Sequence, residues 1–336
     1  MIEQIIARFP GVSCAWVDAA GRVTTECWGV ADRERNLPVD EDTIFPACSI
    51  SKFVTAICVM KLQEKQVIDI DAPVNNYLRQ WKLRTPDGSE SDATIRTLMC
   101  HTAGVMDGED GFYGLRRSAP DIGLLDILEG RTPYNNRPAC VEKAPGTAFE
   151  YSDTGYCVLQ LLVQEVTGEA FDDAARRLVF DALGLTNTFF ASRKNVEYYE
   201  ANATMATGYD GEGLPLLGKY PYQPDLAASA LWSTPKELLA IAKAFIEAYH
   251  GRSTFLQEAS ARAMAKPVEK FPWTGLGVFL QGEDVVMSQG WGENGQCMLK
   301  MNLCTGRAAV VMTNRNPEVD QSVSGVEWLA DTLMQR

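Results

Sequence analysis

The sequence predicts an α+β fold: one antiparallel sheet contributed by both ends of the chain, flanked by helices, with a mainly helical region inserted between them. Three observations predict it. Two β-like runs at 12–17 and 23–28 are joined by Asp18-Ala19-Ala20-Gly21, and four more lie near the other end at 275–281, 284–289, 296–302 and 307–313. Their connections are short, Cys304-Thr305-Gly306 among them, and short connections imply antiparallel pairing because parallel neighbours need a long crossover. Between these groups, residues 78–219 read as helical segments and long loops broken by Pro and Gly. The expected division is a sheet region of 1–77 and 220–336 with a helical region of 78–219 inserted.

The elements follow in order. After the first hairpin, Ile50, Phe53, Val54 and Ile57 recur at helical spacing and predict a helix over about 49–65. Residues 155–167 predict another, with Gly168 suited to its C-terminal stop. Thr234-Pro235-Lys236-Glu237 has the form of a capping box with Pro in the first turn and opens a helix through 246. An amphipathic helix over 323–334 closes the chain. No internal repeat or low-complexity tract interrupts this order.

Composition narrows the function. The 336 residues are 46% hydrophobic and 22% charged, with a formal net charge of −13, so a nucleic-acid partner or an anionic membrane surface is disfavoured. No apolar run approaches the roughly 18 residues of a membrane span. Met1-Ile2-Glu3-Gln4 has neither the basic flank nor the apolar stretch of a signal peptide, and a cytoplasmic location is expected. Nine cysteines without a disulfide-like pattern fit a reducing compartment. The only histidines, His101 and His250, lie far apart and C-x-x-C is absent, so neither a metal nor a cofactor is expected. A Ser-His-Asp triad would have to use one of those two histidines, and G-x-S-x-G does not occur.

Pro46-Ala47-Cys48-Ser49-Ile50-Ser51-Lys52-Phe53 poses the chemical question. Lys52 falls in the first turn of the predicted helix, where unpaired N–H groups already carry partial positive charge. With Ser49 at the mouth of that helix, Lys52 three residues on can reach back to its hydroxyl. Partial burial and the helix terminus both disfavour the ammonium, so a lowered pKa and a neutral base beside a nucleophile are expected. Alone, S-x-x-K fits equally a serine N-cap followed by a solvated lysine.

Further segments carry a family likeness. Pro145-Gly146-Thr147-Ala148-Phe149-Glu150-Tyr151-Ser152-Asp153 resembles the P-G-x-x-F-x-Y-S-N segment of the serine β-lactamase and penicillin-binding-protein superfamily, specifically its class C β-lactamase-like branch of esterases and D-amino-acid peptidases. Leu98-Met99-Cys100-His101-Thr102-Ala103-Gly104 is similar to its L-L-x-H-T-S-G, Leu183-Gly184-Leu185-Thr186-Asn187-Thr188 to its L-G-M-x-x-T, and Leu231-Trp232-Ser233-Thr234 to its L-x-S-T. Order and spacing agree over nearly the whole chain. The resemblance implies a serine β-lactamase-like fold forming one catalytic unit over 1–336. It implies Ser49 as the acylated nucleophile, Lys52 as base or relay, and Tyr151 as the phenol that shuttles a proton, its pKa lowered by the lysine cation. His101 is assigned to structure.

The third family motif, K-T-G or H-x-G, is matched best by Trp291-Gly292-Glu293, similar to the W-G-G of some esterase members, with Ser288-Gln289-Gly290 as a second register. By analogy that strand and Ser49 each supply one N–H of an oxyanion hole. The bland alternatives are a Gly-rich hairpin turn here and a core aromatic at Tyr151. Two departures matter: Asp153 stands where the family has Asn, and neither register of the third motif contains Lys or His. With Asp153 and Glu293 beside a lone cation, Lys52, anionic substrates are disfavoured. The expected activity is a serine esterase or amidase on small neutral or amine-bearing acyl substrates; the alternatives are β-lactamase or D-aminopeptidase/DD-peptidase-like activity, and a binding protein of the same fold whose chemistry has decayed. Loop residues Tyr113, Tyr134 and Tyr222 are candidates for the pocket lining.

Overall fold

The structure, a computed structural model, describes residues 1–18, 20–108, 111–112 and 122–336. β1 (Gly11–Val17) and β2 (Val23–Asp32) form the expected N-terminal hairpin, with Val17 opposite Val23, and β3 (Leu37–Pro38) adds to its outer edge. β4 (Phe45–Cys48), β5 (Phe189–Phe190) and β6 (Leu231–Ser233) make a small second sheet in the order β4-β6-β5, which the sequence did not announce. β7 (Phe279–Gln281), β8 (Val285–Gly292), β9 (Gly295–Asn302) and β10 (Ala308–Thr313) complete the main sheet. Among the described residues its order is β3-β2-β1-β10-β9-β8-β7, and its pairs are antiparallel. The two chain ends therefore meet at its centre, β1 against β10.

Five helices matter for the site: α1 (Ser51–Glu64), α2 (Asp153–Thr167), α3 (Leu226–Ser229), α4 (Pro235–Tyr249) and α5 (Val326–Gln335). The central strands are covered on both faces, which is why β1 and β10 are buried throughout. On one face Cys14, Trp16, Met298 and Val311 pack with Val326, Leu329 and Leu333 of α5. On the other, Ala15, Val310 and Leu299 join the large core that contains α1, α2 and α4. Phe53 of α1 meets Phe245 of α4 edge to face at 5.4 Å. Thr234 accepts the N–H of Glu237, one half of the expected capping box, while the Glu237 carboxylate turns to the N–H groups of Thr186 and Asn187 instead, and Gly168 ends α2 in a left-handed conformation. Among the described residues no helix is long and apolar enough to cross a membrane.

Several boundaries differ from expectation, the end of β2 at Asp32 among them. The run at 275–281 keeps strand pairing only from Phe279, because Gly275 donates to Val278 O in a tight turn and Gly277 takes φ +73°. A Cβ at Gly277 would collide with Ala56 of α1, so this turn lies hard against the helix. The next strand runs on to Gly292. The closing helix starts at Val326, since Gly325 at φ +92° separates it from a short turn of helix at Gln321–Ser324.

Candidate active site

Ser49 sits between β4 and α1, in the turn that joins them. Cys48 just before it holds φ at +48°, a left-handed conformation uncommon for a residue with a side chain. The hydroxyl of Ser51 fixes this turn, donating to Cys48 O at 2.5 Å and accepting the N–H of Leu231 in β6 at 2.8 Å. Ser51 thus ties the turn to β6, and no side chain caps the first turn of α1, Ser49 included. Ser49 is left half-buried, its hydroxyl beside a cleft and 3.3 Å from Lys52 Nζ.

Lys52 is 3% exposed and donates to three oxygens: Ser49 Oγ at 3.3 Å, Asp153 Oδ1 at 2.5 Å and Ala228 O of α3 at 2.9 Å. An ammonium has three protons and no lone pair, so this arrangement satisfies it completely. The expectation of a neutral lysine is overturned. Burial alone would lower its pKa, but the Asp153 carboxylate and the Tyr151 phenol favour the cation more strongly and hold the pKa above the ordinary lysine value. The residue that departs from the family pattern is the one that reverses the shift.

Tyr151 enters from the segment ahead of α2. Lys52 Nζ lies 4.7 Å from the centre of its ring, and Tyr151 lines one small cavity with Ser49 and Lys52. Although the residue is 40% exposed, its phenol end is withdrawn from water, which raises its pKa; the Lys52 cation lowers it, but by less, and Asp153 raises it again. The lowering expected from the lysine is therefore present and outweighed. His101 stacks on Tyr151 at 4.4 Å and accepts the Ser152 N–H on Nδ1 at 3.1 Å. Burial, then the nearby Lys52 charge, push its pKa well below the usual histidine value, which leaves a neutral ring as platform for the tyrosine.

Carboxylates gather around this cluster. Asp107 accepts the N–H groups of Asp153 and Thr154, each at 2.8 Å, and the Ser152 hydroxyl at 3.0 Å, an anion at the positive end of α2. Burial and the Asp153 charge nevertheless raise its pKa. Asp225, fully buried, accepts the Tyr134 hydroxyl at 2.6 Å and the Ser229 hydroxyl, and burial followed by Asp153 pushes it up to about 7. Asp107, Asp153 and Glu293 all line the cleft over Ser49, about 250 Å³ in volume, with Tyr134, Tyr151 and Trp291. Tyr222 turns elsewhere, to Glu197 at 3.3 Å and under Arg193, and Tyr113 lies outside the described residues.

The third-motif segment is the inner end of β8 and its turn. β7 pairs only with Val285–Met287, which leaves the edge of β8 beyond Met287 open toward Ser49. Both registers line cavities that Ser49 also lines: Ser288 and Gln289 share a small one with Ser49, Lys52 and Tyr151, while Trp291, Gly292 and Glu293 share the larger cleft. Glu293-Asn294 is a two-residue turn between the paired Gly292 and Gly295. Gln296 N–H points away to Thr313 Oγ1 at 3.1 Å, so its partner Trp291 belongs to a pair whose amides face outward. The Trp291 N–H then faces the open edge. A Cβ on Gly290 would strike the Ala47 carbonyl and the Cys297 thiol, and one on Gly292 would press on Cys48, so these glycines let the strand lie against the residues that precede Ser49. The Trp291 ring is 46% exposed and donates to Asn316 at 2.8 Å.

Sequence reasoning missed Asp107, Asp225 and the clamp made by Ser51. No local pattern marks the first two; only the folded chain brings them to Asp153.

Fold and site define the class, a serine β-lactamase-like α+β protein. A Beta-lactamase family model matches residues 1–332, and the chain belongs to that family. Esterase EstB of Burkholderia gladioli is 31% identical over 196 residues, 56% of this chain and 50% of its own. Putative penicillin-binding protein PbpX of Bacillus subtilis (strain 168) is 29% identical over 206 residues, 61% and 46% respectively. The chain spans about half the length of these curated relatives. Among solved structures, the D-amino acid amidase from Ochrobactrum anthropi SV3 complexed with L-phenylalanine amide superposes with TM-score 0.78 at 21% identity, over 99% of this chain and 95% of that one. EstCE1, a hydrolase with promiscuous acyltransferase activity, gives 0.77 at 21%, over 99% and 96%. These likenesses establish the fold.

Proposed function

We propose that the protein is a serine hydrolase that forms an acyl-enzyme on Ser49, acting as an esterase or amidase on small neutral or amine-bearing acyl substrates. The observation that carries this reading is the contact of one lysine with both Ser49 and Asp153, which line a cleft together with Tyr151. All three Lys52 protons are engaged, so Lys52 does not take the serine proton. Tyr151 does, in its ionised minor form, which the adjacent cation stabilises. Ser49 Oγ bonds to the acyl carbon, the carbon–leaving-group bond breaks, and the leaving atom receives the proton from Tyr151. Water then adds to the acyl carbon as Tyr151 takes its proton, the Ser49 Oγ–acyl bond breaks to release the acid, and Tyr151 returns the proton to Ser49 Oγ. The N–H groups of Ser49 and Trp291 are the donors proposed for the carbonyl oxygen.

Charge supports the substrate class. Among the described residues lining the cleft, Asp107, Asp153 and Glu293 are acidic and no lysine or arginine is present, while Lys52 beneath is matched by Asp153. Among those described residues a substrate carboxylate finds no spare cation. A fluorophosphonate probe tests the enzyme reading: labelling of the native protein that is lost in Ser49→Ala supports it, and no labelling supports a binding protein of the same fold. Rates for a short-chain aryl ester, D-amino-acid amides and a chromogenic cephalosporin test the substrates. Efficient cephalosporin turnover with little ester hydrolysis would overturn the assignment in favour of a β-lactamase-like activity.

A further inference from the structure

A row of aromatic rings leads away from Ser49. Tyr151 lies 6.3 Å from Phe279 with nearly parallel planes; Phe279 lies 6.5 Å from Phe149, and Phe149 lies 6.3 Å from Phe271 and 6.0 Å from Trp273. Phe149 and Tyr151, two residues apart, come from the approach to α2, whereas Phe271, Trp273 and Phe279 come from the chain around β7. Two distant segments thus converge on one surface. Part of the row is core packing, but Tyr151 at the inner end is 40% exposed and Trp273 at the outer end 48%. Large rings left half open in a connected row are what a ligand surface looks like, unlike a single exposed apolar residue.

The row is continuous with the chemistry. Ser49, Lys52, Tyr151 and Phe279 line one small cavity, so the ring of Phe279 is the first apolar wall met on leaving the nucleophile past the tyrosine. The larger cleft at Ser49 differs in carrying the carboxylates Asp107, Asp153 and Glu293 among its rings and apolar side chains. The two arms of an ester therefore meet unlike surfaces. Tyr151 delivers the proton to the leaving oxygen, so the group on that oxygen lies on the tyrosine side.

We propose, resting on the serine-hydrolase reading, that Phe279, Phe149 and Trp273 form the subsite for the leaving group, and that the preferred substrates are esters of aryl or arylalkyl alcohols. The acyl group occupies the acidic cleft. The serine–acyl bond forms as the acyl–oxygen bond breaks, and the aromatic alcohol departs over the row carrying the proton from Tyr151. Offset or edge contacts with these rings account for the preference.

The test uses three esters of one acyl group, with ethanol, benzyl alcohol and 2-naphthylmethanol, whose alcohols differ little in acidity. The kcat/KM for the naphthylmethyl ester should exceed that for the ethyl ester by about tenfold or more, the discrimination expected of a well-fitted apolar group. Trp273→Ala and Phe279→Ala should bring that ratio toward one, and Trp273→Phe should keep part of it. A ratio near one in the native protein, a ratio unmoved by both alanine variants, or a preference that follows the acyl group instead overturns the proposal. Binding of 2-naphthylmethanol to Ser49→Ala, followed by tryptophan fluorescence, decides the subsite apart from catalysis. Saturable binding weakened by Phe279→Ala supports it, even where no ester is turned over and the hydrolase reading has failed; lack of saturable binding overturns it.

Discussion

Lys52 Nζ lies 2.5 Å from Asp153 Oδ1 and 3.3 Å from Ser49 Oγ, so one buried cation couples the nucleophile to a carboxylate. Where the family pattern has an amide, the positive charge would have no anion directly against it. Here the ion pair fixes the protonation of the whole cluster, and the pH profile should report it.

That profile has a definite sign. The working form has Tyr151 deprotonated, and its pKa is raised by burial and by Asp153, so little of that form exists at neutral pH. kcat/KM for a neutral ester should therefore climb through neutral pH into the alkaline range. Asp153→Asn removes a charge that raises both Tyr151 and Lys52, and should move the rising limb to lower pH. A limb that stays in place or moves upward counts against Tyr151 as the proton acceptor.

Loss of either proton-handling group should separate chemistry from folding. Tyr151→Phe should lower kcat by about 10²–10⁴-fold, the usual effect of a positioned acid–base group, with little change in thermal stability. Lys52→Met leaves Asp153 without its cation and should destabilise the protein by about 3 kcal/mol; adding Asp153→Asn should recover part of this. Denaturant titration of the single and double variants measures the recovery.

Gly290→Ala should be costly far beyond the loss of a flexible backbone. The added methyl has to displace the Ala47 carbonyl or the Cys297 thiol, neither of which is the end of a long side chain. We expect a destabilisation of about 1–3 kcal/mol, read from the unfolding midpoint. Ester hydrolysis at a temperature where the variant remains folded should also fall, because Ala47 is two residues from Ser49.

Asp225 makes stability depend on pH. Its folded pKa of about 7 lies above that of an unfolded aspartate, so the native state binds the proton more tightly. The stabilisation from that proton is complete below about pH 4, the unfolded aspartate value, and is lost as pH rises through 7. Asp225→Asn cannot titrate, so the fall in melting temperature between pH 5 and pH 8 should be smaller in the variant. An unchanged fall would exclude Asp225 as its source.

Much of the fold was legible because its signals are local. The N-terminal hairpin, the cap at Thr234 and the stop at Gly168 depend on residues next to one another, and all appear. The pairing of β4 with β6 was hidden, since four and three residues carry too little pattern to identify a partner so distant as Ser233 is from Phe45. At the candidate site, the proximity of Ser49 and Lys52 follows from helical spacing, and Tyr151 came from a family likeness. The charge state of Lys52 did not follow. It is decided by Asp153, 101 residues on, and no periodicity reveals that a carboxylate will come within hydrogen-bonding distance.

α1 is encased by its neighbours, with every residue from Ser51 to Met60 buried. A helix on a protein's surface can fray and take its functional groups with it while the rest survives. This one has no such freedom: releasing its first turn means opening the interior around Phe53 and Ile57. Heat inactivation should therefore be an all-or-none event governed by the barrier to global unfolding, with the half-life of the protein and that of its chemistry the same quantity.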